Sequence, residues 1–141
     1  MSGTQTRADR IVQGMYARDA FSQWLGVEVL EVGPGRCRCR MQVRPEMVNG
    51  FGLAHGGIAF SFADSAFAFA CNTQGRIAMS IENAISYPAP IRPGDMLVSD
   101  ASEETGTGRL GFYSVRVTNQ REETVALFRG VAYRTSEEHP E

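Results

Sequence analysis

Between His55 and Arg76 the sequence holds one charged side chain, Asp64, in the run Phe60-Ser61-Phe62-Ala63-Asp64-Ser65-Ala66-Phe67. A carboxylate among residues that favour burial is costly to keep ionised unless it is hydrogen-bonded or meets a cavity. Aspartate is also a mediocre residue for a helix interior. Such a group is a satisfied core carboxylate, a carboxylate facing a solvent groove, or a catalytic base or nucleophile. Ahead of it lies a Gly-rich loop, Asn49-Gly50-Phe51-Gly52-Leu53-Ala54-His55-Gly56-Gly57. Gly56 and Gly57 fall where a helix should begin, so their N–H groups lack intrahelical acceptors. The helix dipole favours negative charge there, and glycine lets a carbonyl approach the backbone closely. A plain tight loop would also explain His-Gly-Gly. Together with Asp64, however, the loop meets the requirements of an oxyanion hole for acyl transfer.

Spacing constrains how the two could cooperate. Asp64 lies eight residues beyond Gly56, about 12 Å along a helix at about 1.5 Å per residue. One chain's Asp64 and Gly56 cannot act on one carbonyl. Two such helices side by side and antiparallel would bring each Asp64 to the partner's helix start, so a shared catalytic role predicts a two-fold dimer.

The elements that must position these groups follow from periodicity. Ile11, Met15 and Tyr16 predict a short amphipathic helix over 8–19, with Phe21, Trp24 and Leu25 as an apolar knot pinning it to the body. Val27–Val32, the turn Gly33-Pro34-Gly35 and Arg36–Val43 read as a hairpin. The Ala- and Phe-rich stretch over about 57–73 predicts a buried central helix. Four strands follow, at Ile77–Tyr87, Met96–Glu103, Arg109–Asn119 and Thr124–Arg134, and the chain is expected to loosen from about 136. The order predicts an α+β fold: one domain over 1–141, an antiparallel β-sheet wrapped around a long central α-helix.

A formal net charge of -2 and the lack of a basic cluster argue against nucleic acid. No apolar stretch reaches spanning length and the first seven residues lack a signal-like run, which predicts a cytoplasmic protein without a membrane partner. Cys37, Cys39 and Cys71 form neither a disulfide framework nor a metal-ligand pattern, so no metal is expected.

The run Asn49–Gly57 with Asp64 in FSFADSAFAFACNTQG resembles the hotdog-fold thioesterase superfamily, and within it the phenylacetic-acid-degradation (PaaI-type) thioesterases. Met15-Tyr16, Asp19-Ala20, Pro93-Gly94-Asp95 and Thr124–Gly130 extend the likeness over roughly 10–134. The resemblance implies hydrolysis of acyl-coenzyme A thioesters without cofactor, in a homodimer with shared active sites that is often paired into a homotetramer. It implies that Asp64 activates water or attacks directly, that Gly56 supplies the oxyanion N–H, and that His55 supports that loop or the thioester. Asn49 matches the asparagine that holds the water or carboxylate, and Ser80 matches a water-placing Ser or Thr. The chain departs from the family pattern in Ser80–Asp95, which contains Pro88 and has Ala89 where relatives carry arginine; Arg92 lies three residues on.

For the coenzyme A phosphates, Arg92, Arg109 and Arg129 are the candidate partners. Gly57 borders the same site, and Phe51, Phe60, Phe67 and Met79 are candidates for the acyl pocket, although a Phe-rich helix also reads simply as core. Simple alternation puts Ser80 with Glu82 and Ser86, opposite Ile77, Met79, Ile81, Ile85 and Tyr87; if that apolar set faces the helix, Ser80 reaches the site only through unusual local geometry or across the interface. Two other readings share the scaffold. A hydratase or dehydratase would resemble proteins carrying Asp-x-Asn-x-x-His or His-Phe-Pro, and neither string occurs. A non-catalytic acyl-coenzyme A binder would have no use for Asp64 and Asn49.

Overall fold

The computed structural model describes residues 3–140. Helix α1 spans Gly3–Ala17, α2 Ala20–Leu25, and α3 Gly56–Cys71; the strands are β1 Glu28–Gly33, β2 Arg36–Gln42, β3 Arg76–Ser86, β4 Met96–Thr107, β5 Leu110–Thr118 and β6 Thr124–Glu138. All strand pairs are antiparallel, in the order β1-β2-β4-β5-β6-β3. The sheet wraps α3, whose Ala59, Phe62, Ala63, Ala66, Phe67 and Ala70 are fully or almost fully buried against it. This is the hotdog arrangement that the resemblance implied. Among the described residues no helix is long and apolar enough to cross a membrane.

Small residues let the sheet close around the helix. On β6 the inward set is Phe128, Gly130 and Ala132, while Leu127, Arg129 and Tyr133 face out. At Gly130 the Phe67 ring fills the place of a side chain: a Cβ there would lie 2.8 Å from its Cζ. Phe67 also packs edge-on to Tyr113 and tilted on Phe128.

Three expectations change. The first helix begins at Gly3 and ends at Ala17, and the apolar knot after it is a helix of its own. Asp19 caps this second helix, accepting from the Ser22 N–H at 2.9 Å, and Gly26 ends it at φ 81°. The C-terminal segment is not loose from 136. β6 continues to Glu138 opposite Arg76, and the His139 N–H donates to the Gly75 carbonyl. A strand with a full-length neighbour keeps pairing whatever its own composition, because unpaired backbone groups beside a partner edge are costly.

Asn72 sets the phase of β3. It caps the end of α3, and its amide donates to the carbonyls of Ala68 and Ala78 while its Oδ1 accepts from the Ala78 N–H at 2.9 Å. Ala78 is thereby turned inward and Met79 outward, opposite Tyr133.

Candidate active site

His55 is the N-cap of α3. Its Nδ1 accepts from the Gly57 N–H at 3.0 Å, which requires the tautomer with its proton on Nε2. The Ile58 N–H goes back to the His55 carbonyl at 2.9 Å. Among the described residues, the Gly56 N–H is the donor of this turn left without a protein acceptor. The capping residue therefore decides which glycine is available: the Gly57 N–H belongs to the cap, and the Gly56 N–H does not. On the other side of the same residue, the Tyr87 hydroxyl donates to the Gly56 carbonyl at 2.8 Å. The loop ahead is organised by Asn49, whose Oδ1 accepts from the N–H groups of Phe51 (2.9 Å) and Leu53 (3.2 Å). Within one chain Asn49 thus shapes the loop, and its Nδ2 is the end left for another partner.

Asp64 is half-buried on the face of α3 that the sheet does not cover, among Gly57, Ser61 and Ala68. Burial, and after it the charge of Asp19, pushes its carboxyl above the usual carboxylate range. It is not sealed in the core, and no cation among the described residues pairs with it. Asp19 is brought near by α2: the Ser22 hydroxyl donates to Asp19 Oδ2 (2.6 Å), so the Ser65 hydroxyl, 2.7 Å from Ser22 Oγ, is the donor in that pair. If Asp64 must be ionised to act, activity falls as pH drops through its raised pKa. Asp19→Asn keeps a capping side chain and removes the charge, so the acid limb of kcat/KM is expected to move to lower pH. A limb that stays in place would show that Asp19 does not act on Asp64.

Ser80 lies just before a β-bulge in β3. The register runs Ser80↔Ala132, then Glu82↔Val131 and Asn83↔Gly130, leaving Ile81 as the extra residue. Ser80 and Asn83 therefore both face α3. The Ser80 hydroxyl meets Asn83 Oδ1 at 2.9 Å and the Asn83 amide donates to Asp64 Oδ1 at 3.4 Å. Alternation alone had placed Ser80 on the far side; Ala78, held inward by Asn72, reverses this, and the bulge after Ser80 brings Asn83 to the same face. Simple alternation sets Asn83 and Ser80 on opposite faces of the strand, so the pairing of the two side chains was not legible in the sequence. Asp19 and Tyr87 were equally unforeseen as neighbours of the site, since each arrives from a separate element.

The other candidates divide. Phe51 stands 90% exposed on the Gly-rich loop, and Phe60 is half-buried against Phe128. Phe67 is not a pocket residue: its ring is fully buried against Gly130. Met79 is on the outer face of the sheet, away from Asp64, because Asn72 holds Ala78 inward. Arg92 lies in the loop beside the Gly-rich segment, where the Ala54 N–H donates to the Ile91 carbonyl. Arg109 sits in the β4–β5 turn and donates to the Arg134 carbonyl, near the Cys71 end of α3. Arg129 stands on the outer face between Ala84 and Ser114. Neither is grouped with Asp64 inside one chain.

A thioesterase superfamily model matches residues 51–126, the stretch that contains both the unpartnered Gly56 N–H and Asp64. The chain belongs to the thioesterase superfamily. This thioesterase is 38% identical over 120 residues to the acyl-coenzyme A thioesterase PaaI of Escherichia coli (strain K12), covering 85% of this chain and 86% of that one. It is 29% identical to human acyl-coenzyme A thioesterase 13, over 78% of this chain and 81% of that one. The structure of the Escherichia coli PaaI protein from the phenylacetic acid degradation operon superposes on it with a TM-score of 0.94 at 34% identity, over 96% of this chain and 99% of that one.

Proposed function

We propose that the protein hydrolyses an acyl-coenzyme A to the free acid and coenzyme A, with an aryl-acyl group such as phenylacetyl or hydroxyphenylacetyl, in sites shared between two copies of the chain. One observation carries the reading: a half-buried carboxylate and a helix-start N–H, neither with a cation or acceptor among the described residues, lie on the same helix, too far apart to serve one carbonyl unless a second chain supplies one of them. In each site the Gly56 N–H polarises the thioester carbonyl, and the partner's Asp64 takes a proton from the water that attacks it. Collapse of the tetrahedral intermediate breaks the C–S bond and expels the coenzyme A thiolate. A thiolate leaves readily, so a strong general acid is unnecessary. Direct attack by Asp64 would instead expel the thiolate to give a mixed anhydride that a water then opens; ¹⁸O found in the aspartate after single turnover in ¹⁸O-water would mark that route, with water attacking the aspartyl carbonyl.

Several features support the two-fold arrangement. β3 is an edge strand carrying Met79 and Ile81 at 58% and 59% exposure, an edge that natural sheets cover or pair. The exposed Leu127 and Tyr133 on the outer face support pairing of two such dimers into a tetramer. Phe51 and Phe60 supply aromatic surface for the acyl group, and the relative PaaI from a phenylacetic acid degradation operon supports the aryl choice. Of the arginines, Arg92 is the first choice for a phosphate partner, because its loop is bonded to the catalytic one. The proposed steps draw only on groups of the chain, and a cytoplasmic setting suits a coenzyme A substrate.

The test is release of free thiol from a panel of phenylacetyl, hydroxyphenylacetyl, benzoyl, and short- and medium-chain fatty acyl thioesters. The aryl-acetyl members are expected to give the highest kcat/KM. A preference for fatty acyl chains would overturn the aryl assignment. Water addition to an enoyl thioester without thiol release would favour the hydratase reading, and a monomer by light scattering would end the shared-site mechanism.

A further inference from the structure

The bulge at Ile81 puts two neutral side chains in series behind the carboxylate, and their chemistry fixes which way round they stand. Asp64 Oδ1 is an acceptor, so the Asn83 group facing it must be the Nδ2 amide; the flipped amide would set oxygen against oxygen. Asn83 Oδ1 then faces Ser80 at 2.9 Å and needs a donor, which the Ser80 hydroxyl supplies. The proton of Ser80 is thereby committed to Asn83, and Asn83 holds one oxygen of Asp64, leaving Oδ2 to meet water or substrate. The distance of 3.4 Å between Asn83 and Asp64 is long for a hydrogen bond, as such contacts often are before substrate binds.

We propose that Asn83 is a positioning residue for Asp64, and that Ser80 acts through Asn83 rather than on the attacking water. The inference rests on Asp64 being the catalytic carboxylate. A hydrogen bond to the ionised carboxylate favours that form, so Asn83 offsets part of what burial costs Asp64. The charged and titratable groups that bear on Asp64 are Asp19, arriving with α2, and Cys71 further along α3 itself. From β3 the contact is made by Asn83, a neutral group. The inward neighbours of Asn83 on β6 are Phe128, Gly130 and Ala132, which carry no charge. Asn83 is therefore the side-chain donor that the described residues provide to this oxygen.

A mutant cycle separates this from its rivals. Asn83→Ala is expected to lower kcat about tenfold or more with KM nearly unchanged, and to move the acid limb of kcat upward in pH. Ser80→Ala should do the same to a smaller degree, because Asn83 loses its orienting donor but keeps its amide. The double variant should be no worse than Asn83→Ala alone. Multiplicative losses in the double variant would show that Ser80 works independently, on water or substrate, and would overturn the inference. A fall in Tm with kcat and the acid limb unchanged would reduce Asn83 to a structural residue and overturn it as well. Asp64→Asn in the same assay keeps the two claims apart: if that variant turns over normally, the proposed function fails; if it is inactive and the cycle is multiplicative, only the role of Asn83 fails.

Discussion

Asp64→Asn is expected to abolish turnover, by about a thousandfold or more, while leaving the fold at least as stable as the parent. On the proposed mechanism the loss follows from removing the group that takes water's proton or attacks the thioester, since an amide does neither. The stability claim follows from the raised pKa of the aspartate. A carboxyl whose pKa is higher folded than unfolded binds its proton more readily in the folded state. The fold therefore gains stability as pH falls toward that value and loses it as pH rises past it. Near neutral pH the parent carries this penalty and the asparagine variant does not. Thermal melts across pH check the sign: the variant's advantage should shrink as the pH is lowered. A variant that melts well below the parent at neutral pH would mean that Asp64 is a structural carboxylate, and retained turnover would remove it from the mechanism.

Gly130→Ala is expected to carry a large stability cost for a single added methyl. The new Cβ would lie 2.8–2.9 Å from three atoms of the Phe67 ring, and that ring is fully buried between Tyr113 and Phe128. It cannot swing away, so the helix and sheet must part. Overpacking of this kind costs about 1–3 kcal/mol, equivalent to a Tm lower by roughly 3–12 °C for a domain of this size. Because Gly130 pairs with Asn83, the same displacement should weaken the contact to Asp64 and reduce turnover. Phe67→Leu in the same chain makes room and should recover part of the loss. Melts at one fixed protein concentration measure both effects, and an unchanged Tm for Gly130→Ala would contradict the packing described.

The central helix, its glycine-led start and its one carboxylate were legible from residue order alone, because each is a local property: composition decides burial, and a cap decides where a helix begins. The eight-residue spacing of Gly56 and Asp64, also local, is what led to the proposal of a shared site. What residue order could not determine was phase. Strict alternation sent Met79 inward and Ser80 outward, and the structure reverses both, since Asn72 turns Ala78 toward the helix and the bulge at Ile81 then resets the strand by one residue. Phe67 read as a pocket residue because helical periodicity cannot say which side of a buried helix meets the sheet. The Asp19 contact, the Tyr87 clamp on Gly56 and the pairing of β6 out to Glu138 all join residues far apart in the chain. Such contacts are settled by how the sheet closes around α3, where hydrogen bonds and van der Waals fit are satisfied across elements rather than along them.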